Sequence, residues 1–277
     1  MWVVKIVVSS FIIAVTISVT LSYRCNVRPA VGFRSGICIG LFVSLFVMGM
    51  HLLAPGVPFF FLLVSEFFLV LFILLIAIAF RFYRDPERVP PRQQNIIVSP
   101  ADGTVRYVQK LKDGEIPFSE KKNRIFPLVE MTKTDILSEG AFLIGIEMSV
   151  LDVHVNRAPI QGTVVYQKPA DGPFLSLRKP EALFCNERVT TVIDNGLFRV
   201  GVIQIASRLV RRIVSYLSEG MEVRIGQRMG MIKFGSQVDI VIPKLEGVNV
   251  RIQQGEQVEA GTTIICDYGS STQECDE

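Results

Sequence analysis

Apolar and polar residues divide this chain into two unlike parts. From residue 1 to about residue 80 the sequence is almost continuously apolar; from residue 81 onward, short apolar runs alternate with polar and charged residues. About 20 consecutive apolar residues are enough to cross a bilayer as a helix. The pattern therefore predicts a membrane anchor at 1–83, followed by a domain that folds in water.

The anchor contains three stretches long enough to be membrane helices, at 3–21, 37–53 and 59–80. Prolines and a glycine at 55–58 predict a break that makes the last two a helical hairpin. The first stretch is long and no small-residue cleavage site follows it, so we expect an uncleaved helix rather than a signal peptide. Glu66, the lone charge of the third stretch, is expected to face a neighbouring helix or to be protonated.

Basic residues predict the orientation of the anchor. They cluster after the first and third stretches, as Arg24, Arg28 and Arg34 and as Arg81, Arg84, Arg88 and Arg92. Cytoplasmic segments are enriched in Lys and Arg, and two crossings separate the clusters, so both can be cytoplasmic. We therefore expect the folded domain on the cytoplasmic side of the cell membrane. Arg84, Arg88 and Arg92 either attract anionic lipid or only fix the topology.

The second part of the chain has the pattern of a β protein. Short β-branched runs bounded by turn residues indicate strands, and they occur at 103–108, 141–146, 162–166, 189–193 and 238–242. One helix is predicted at 204–218, where apolar residues recur every four positions. The expected fold class is transmembrane helices followed by a mainly β (α+β) domain.

Two pieces of this domain, 220–232 and 248–265, have the same pattern: a strand-like run, a polar turn and a glycine. The pattern resembles the hairpins of lipoyl and biotinyl carrier domains. No convincing carrier lysine stands in the turn, so we infer shared architecture only. The last residues, 269–277, are small, polar and acidic, which predicts a disordered tail.

Composition narrows the class further. The chain is 49% apolar with a mean hydropathy of +0.41, and its net charge of +3 gives no sign of a nucleic-acid partner. Its five cysteines are scattered, so they predict neither a disulfide framework nor a zinc site, and we expect no metal. A domain of about 195 residues can bury a full core without such cross-links.

The pair Gly235-Ser236 is the first candidate for chemistry. Glycine allows a strained backbone and leaves its carbonyl open to attack, and the following hydroxyl can attack that carbonyl if a base activates it. Alone, such a pair is usually an ordinary turn. It gains weight from the segments 99–105, Ser-Pro-Ala-Asp-Gly-Thr-Val, and 152–159, Asp-Val-His-Val-Asn-Arg-Ala-Pro, which precede it.

In this order the segments resemble the phosphatidylserine decarboxylase family, in particular its short, membrane-anchored bacterial and archaeal-type branch. Further matches lie at 82–88, 186–188 and 205–220, and the resemblance covers roughly residues 80–243. Removing the carboxylate of an amino acid leaves a carbanion that needs a carbonyl cofactor as electron sink. The chain shows no phosphate loop or lysine motif for pyridoxal phosphate.

The resemblance implies a pyruvoyl cofactor made from Ser236. Ser236 would attack the Gly235 carbonyl, and elimination would cut this zymogen into a membrane-bound large chain, 1–235, and a small chain, 236–277. The mature domain, 84–268, would convert phosphatidylserine to phosphatidylethanolamine and carbon dioxide. We also expect a homo-oligomer.

His154 is the expected general acid and the expected base for Ser236. It is the only histidine of the second part of the chain, and its ordinary pKa near 6.5 suits both roles. Asp102 would orient the imidazole, as the third member of a triad does. Longer family members carry a second histidine where this chain has Arg157. Either His154 does both jobs, or Arg157 assists.

Substrate contacts and alternatives stay open at this point. Arg211 and Arg212 either meet the lipid phosphate or form a solvated helix face, and Asn186 and Arg188 match the family without a derivable role. Archaetidylserine or another serine-headed lipid is an alternative substrate. A non-catalytic, membrane-tethered carrier-like adaptor and a family member that no longer cleaves are the alternative classes.

Overall fold

The structure is a computed structural model, and it describes residues 2–25, 27–111, 140–170, 187–206, 212–233, 236–244 and 247–269. The chain forms two compact units. A helical unit contains Met1–Tyr83 with Ser149–Leu151, and a β unit contains Arg84–Met148 with Asp152–Glu277.

The helical unit has three helices, α1 (Trp2–Arg24), α2 (Pro29–Leu53) and α3 (Phe59–Tyr83). Within the described residues, these three are long and apolar enough to cross a membrane. The helices break between Leu53 and Phe59, as predicted. Helix α2 begins at Pro29, well before the predicted stretch 37–53, because proline fits the first turn of a helix. Hydropathy marked only its most apolar part.

Three glycines spaced four apart bring α2 close to α1. A Cβ atom at Gly32 would lie 2.2 Å from Ser22 Oγ, and one at Gly36 would lie 2.7 Å from Val15 Cα. Gly40 continues the same row. Small residues at this spacing let helix backbones approach closely in membranes. Sequence reasoning missed this signal because the predicted stretch began after Gly36.

The β unit contains fourteen strands among its described residues. They are β1 (Ile96–Val98), β2 (Gly103–Leu111), β3 (Ala141–Met148), β4 (Val155–Arg157), β5 (Gly162–Ala170), β6 (Arg188–Asp194), β7 (Arg199–Ile205), β8 (Arg212–Ser215), β9 (Glu222–Val223), β10 (Arg228–Lys233), β11 (Ser236–Pro243), β12 (Asn249–Val250), β13 (Gln257–Val258) and β14 (Ile264–Asp267).

The strands form one large sheet and two small ones. The large sheet has the order β13-β2-β3-β11-β7-β6-β5-β9, and the small sheets have the orders β1-β14-β12 and β4-β10-β8. Neighbouring strands in these sheets pair antiparallel. Strand β11 lies at the centre of the large sheet, between β3 and β7. The position that follows Gly235 is therefore the first position of a central strand.

The two faces of β11 have different surroundings. Val238, Ile240 and Ile242 belong to the main hydrophobic core, together with residues of β3 and β7. Burying each such side chain contributes about 1.5–3 kcal/mol. The intervening positions Gln237 and Asp239 point to the other face, and both are also fully buried. The start of β11 is thus held by an apolar face and a polar one.

The five predicted strand runs all lie in strands, and the expected fold class is confirmed: apolar helices followed by a mostly β domain. The predicted helix at 204–218 is wrong. Gln204 and Ile205 end β7, and residues 212–215 form β8, whose Ile213 and Val214 pair with β10. The β-branched residues there fit a pleated strand, and pairing with a distant strand overrides the local spacing of four.

The two similar pieces each contain a two-residue strand, a tight turn and a second strand. The turns use Gly226 (φ +76°) and Gly255 (φ +90°), a backbone region that favours glycine. Their strands join different partners: β9 and β10 pair with β5 and β4, whereas β12 and β13 pair with β14 and β2. The likeness to carrier hairpins stays a prediction. Most of the predicted tail, 270–277, lies outside the described residues.

Candidate active site

Asp102 lies in a tight connection between β1 and β2. Gly103 follows it with φ +147°, and a Cβ there would lie 2.3 Å from the carbonyl oxygen of Glu147, so only glycine fits. The main-chain N–H of Arg157 donates to the carbonyl of Pro100 at 2.9 Å. This bond ties the Asp102 connection to β4, the strand that follows His154.

The Asp102 carboxylate is buried, and both of its oxygens accept hydrogen bonds. It accepts two hydrogen bonds from the Arg88 guanidinium, one from Nη1 and one from Nη2 at 2.8 Å. It also accepts from the main-chain N–H of Ala260 at 2.8 Å and, at 3.4 Å, from that of Val153. Asp102 therefore reaches the His154 segment through the main chain of Val153, and it acts on the imidazole through its charge.

His154 is completely buried. Its Nδ1 lies 2.9 Å from the carbonyl oxygen of Asp152, which favours a proton on Nδ1 and leaves Nε2 as the basic nitrogen. Burial lowers the pKa of His154 below its usual value, and the charges of Asp152 and Asp102 partly oppose that shift. The imidazole is thus neutral at neutral pH, the form a general base needs.

Two backbone contacts bring the segments of His154 and Ser236 together. The main-chain N–H of Ile232 donates to the carbonyl of His154 at 3.2 Å, and Ser236 pairs with Met148 across β11 and β3. The chain from Met148 to His154 and the chain from Ile232 to Ser236 are therefore joined at both ends. Gly235, the other half of the predicted cleavage site, lies outside the described residues.

Arg157 has the contacts of a structural cross-link. Its Nη1 donates to the carbonyl of Gly226 at 3.0 Å, and its Nη2 donates to the carbonyl of Pro86 at 2.9 Å and to Asp85 Oδ1 at 3.1 Å. Its side chain is 4% exposed. Burial lowers its pKa, but a guanidinium held by these acceptors stays a cation. These contacts favour His154 over Arg157 as the base.

The predicted substrate contacts are only partly covered by the structure. Arg211 and Asn186 lie outside the described residues. Arg212 occupies the first position of β8, with its Cα opposite that of Lys233, and Arg188 is buried at the start of β6. Since β8 replaces the predicted helix, the proposed solvated helix face does not exist at 212–215. A phosphate contact by Arg211 or Arg212 stays a prediction.

Sequence reasoning missed the role of Arg88, which it assigned to the membrane surface or to topology. The side chain is instead buried against Asp102, and these hydrogen bonds raise its pKa. The signal was present, because 82–88 matched the family, but no local pattern shows which acid an arginine meets. A buried group formed by Tyr107, Gln237 and Asp239 was also missed, since its members are far apart in sequence.

Comparison with known proteins identifies the family of this chain. The family model of phosphatidylserine decarboxylase matches residues 75–266, which include the Asp102, His154 and Ser236 positions. The chain belongs to the phosphatidylserine decarboxylase family.

Individual relatives name two lipids. A protein of Methanocaldococcus jannaschii, provisionally named archaetidylserine decarboxylase proenzyme, is 42% identical over 201 residues, 73% of this chain and 95% of its own length. A protein of the same provisional name from Methanothermobacter thermautotrophicus is 39% identical over 72% of this chain and 84% of its own length. The phosphatidylserine decarboxylase proenzyme of Xanthobacter autotrophicus is 37% identical over 68% of this chain and 73% of its own length.

Proposed function

We propose that this protein is a self-processing, pyruvoyl-dependent decarboxylase of a serine-headed membrane lipid. Family membership supports the decarboxylase class, and the word proenzyme in the names of the relatives supports maturation by cleavage. The observation that carries the proposal for this chain is the double connection between the His154 segment and the Ser236 segment. It supports the buried, neutral His154 as the base for the Gly-Ser bond of that segment.

Maturation uses only groups of the chain and one water. The Ser236 hydroxyl attacks the Gly235 carbonyl, the peptide C–N bond breaks, and an ester joins the two residues while the amino group of residue 236 becomes free. Loss of the α-proton of residue 236 then expels the Gly235 carboxylate and leaves a dehydroalanine. Its enamine tautomerises, water adds and ammonia leaves, which gives a pyruvoyl group with no net oxidation.

His154 is the residue proposed to move the protons in this sequence. Its neutral imidazole takes the hydroxyl proton from Ser236, and the resulting imidazolium is stabilised by the nearby charges of Asp152 and Asp102. The same group can return a proton to the substrate carbon after carbon dioxide leaves. The pyruvoyl group, once formed, supplies the electron sink that no ordinary side chain provides.

The substrate is proposed from the shared head group. Phosphatidylserine and archaetidylserine carry the same phosphoserine, and the names of the relatives include both lipids. The three apolar helices support membrane association, which keeps the site at the surface where the scissile carboxylate lies. From the arginine distribution we propose the cytoplasmic side of the cell membrane, with phosphatidylethanolamine or its archaeal counterpart as product.

Ser236→Ala tests the proposal, with Ser218→Ala, at an exposed position, as the matched control. On a denaturing gel, the wild type and Ser218→Ala should each give a large and a small chain, and Ser236→Ala one full-length chain. Reduction with borohydride in the presence of an amine should modify residue 236 in the cleaved proteins only. Only those proteins should release carbon dioxide from a serine lipid. Cleavage that survives in Ser236→Ala would refute the cofactor assignment.

A further inference from the structure

Three side chains form a closed ring of hydrogen bonds at the start of β11. The Tyr107 hydroxyl donates to Asp239 Oδ2 at 2.7 Å. The Gln237 side-chain amide donates to Asp239 Oδ1 at 2.7 Å and to the Tyr107 hydroxyl oxygen at 3.1 Å. Gln237 directly follows Ser236 and is the second residue of the proposed small chain. The ring therefore connects the first residues of β11 to β2, two strands away.

Gly145 makes this reach across two strands possible. Tyr107, Gly145 and Asp239 lie in one row across β2, β3 and β11. A Cβ on Gly145 would lie 2.4 Å from Tyr107 Cζ, so the tyrosine ring covers the space that a side chain would take. An irregularity in β2 between Val105 and Tyr107 sets this register. Contact between Tyr107 and Asp239 thus needs a glycine in β3, the strand between them, and a bulge in β2.

The ring surrounds a buried charge. Asp239 is fully buried, and burial raises its pKa to about 6. At neutral pH the carboxylate is ionised and depends on both donors, because a buried charge without hydrogen bonds is strongly destabilising. Arg106 lowers the pKa of Asp239 through its charge, and Arg106 itself pairs with Glu147 at 3.6 Å.

One oxygen of the ring has no partner within the described part of the chain. Gln237 Oε1 is buried and accepts no hydrogen bond from those residues. Leaving a buried acceptor unsatisfied costs about 1–3 kcal/mol, so apolar side chains in place of all three members of the ring would be the simpler way to stabilise the strand. A costly polar group beside a cleavage site indicates a role other than stability.

We propose that Tyr107 and Asp239 are positioning residues, which hold Gln237 and therefore the new amino terminus at residue 236 in its working position after cleavage. This inference rests on the proposed function. Ser236 pairs with Met148 of β3, whereas pairing with β7 begins only at Gln237. A free chain end frays unless it is tied down, and cleavage removes the restraint from Gly235. The ring provides a restraint that cleavage leaves intact.

Tyr107→Phe is the main test, because it removes one hydroxyl and keeps the aromatic ring of residue 107 over Gly145. Tyr216→Phe, at a surface position, is the matched control. The full-length protein is purified in detergent, and decarboxylation is measured with serine lipid in mixed micelles. We expect Tyr107→Phe to cleave as completely as the wild type, with kcat lower by about 10- to 100-fold and KM within twofold, since small misplacements at a reacting centre have effects of this size.

A second measurement does not depend on turnover. Hydrogen exchange of the peptide that begins at residue 236, in the cleaved protein, should be faster in Tyr107→Phe and unchanged in Tyr216→Phe. Reductive trapping of residue 236 with a small amine should be complete in both variants. The cofactor would then be present in Tyr107→Phe but held less firmly.

Asp239→Asn provides a second, independent test, because asparagine has the same shape as aspartate. Its amide nitrogen faces one of the two donors, so one hydrogen bond is lost, and the group no longer titrates. We expect the same fall in kcat as in Tyr107→Phe. Any decrease that the kcat of the wild type shows as the pH falls through about 6 should be absent from Asp239→Asn.

Several outcomes would overturn the inference. The first is that cleaved Tyr107→Phe has the same kcat and the same hydrogen exchange as the wild type. The second is that cleavage is blocked in Tyr107→Phe or in Asp239→Asn. The third is that both variants fail to fold. In the second case the ring would act before the terminus exists, and in the third it would be only structural. A wild type without cleavage or trapping would instead refute the proposed function, so the two failures are distinguishable.

Discussion

Arg88 and Asp102 form a buried ion pair in which both oxygens of the carboxylate accept from one guanidinium. The exposed fractions of the two side chains are 9% and 8%. Arg88 Nη1 also donates to the carbonyl of Ala260 at 2.8 Å. Arg88 lies only a few residues after the end of α3 in the sequence, so the first residues of the β unit supply the counterion of Asp102.

We predict that Arg88→Met prevents or greatly slows self-cleavage. It leaves Asp102 as a buried charge without its main partner, a change that costs about 3–5 kcal/mol in buried pairs. Since Asp102 supports the charge of His154 in the proposed mechanism, we expect cleavage to slow by on the order of 100-fold. The full-length band on a denaturing gel, followed over time after synthesis, measures this rate.

Two further variants make this test specific. Arg88→Lys keeps the charge but loses the planar fork, so its rate should lie between those of the wild type and Arg88→Met. Arg92→Met removes an exposed arginine of the same region and should cleave normally. Equal rates in Arg88→Met and Arg92→Met would show that the ion pair is unimportant for maturation.

A second prediction concerns Asp85, which joins two strands that flank the site. It accepts from Arg157 of β4 at 3.1 Å and from Arg228 of β10 at 2.5 Å. Asp85→Asn leaves the buried Arg157 without a carboxylate, so we expect a loss of about 2 kcal/mol in stability. Thermal unfolding in mild detergent measures the difference.

Glu87→Gln is the matched control for that substitution. Glu87 also pairs with Arg228, at 2.6 Å, but its side chain is 83% exposed. Exposed ion pairs contribute about 0–1 kcal/mol, so this variant should melt close to the wild type. If the two variants melted at the same temperature, the burial of Arg157 would not make the Asp85 contact important.

The third prediction is the pH dependence of self-cleavage. Burial lowers the pKa of His154 below its usual value near 6.5, and the proposed mechanism uses the neutral imidazole as the base. The cleavage rate should therefore be constant at neutral pH and should fall as the pH decreases through the lowered pKa. The stability of the fold should change with pH in the same direction. Because the folded protein favours the neutral imidazole, the contribution of His154 to the free energy of unfolding is complete above pH 6.5 and is lost on acidification.

Asp152→Asn should move this acid limb to lower pH. The charge of Asp152 raises the pKa of His154, so its removal favours the neutral imidazole further. The rate is measured on purified full-length precursor, or on protein synthesised in vitro, at a series of pH values. A limb that shifts to higher pH, or that persists in His154→Gln, would assign the titration to another group.

The segment 85–88 explains why the match at 82–88 belongs with the site motifs. Asp85 binds β4 and β10, and Arg88 binds Asp102. Strand β4 follows His154, and β10 leads to Gly235-Ser236. A short, charged segment thus contacts all three parts of the candidate site. The sequence showed only that 82–88 matches the family and did not show these contacts.

The sequence alone determined features that depend on nearby residues. Apolar length identified the three helices, and short β-branched runs between turn residues identified the strands at 103–108 and 238–242. The spacing of Gly32 and Gly36 also carried a local signal for helix packing, which was overlooked because hydropathy placed the start of α2 too late. Such patterns survive because helix and strand periodicity is a property of consecutive positions.

Only the tertiary structure decided features that depend on distant pairing. Residues 212–215 became a strand because β10 was available to pair with them, and Arg88 became the partner of Asp102 rather than of lipid. Tyr107 meets Asp239 only because Gly145 lies between them. Hydrogen bonds and ion pairs require a donor and an acceptor within about 3 Å, and a linear sequence does not contain the distances between strands that fold together.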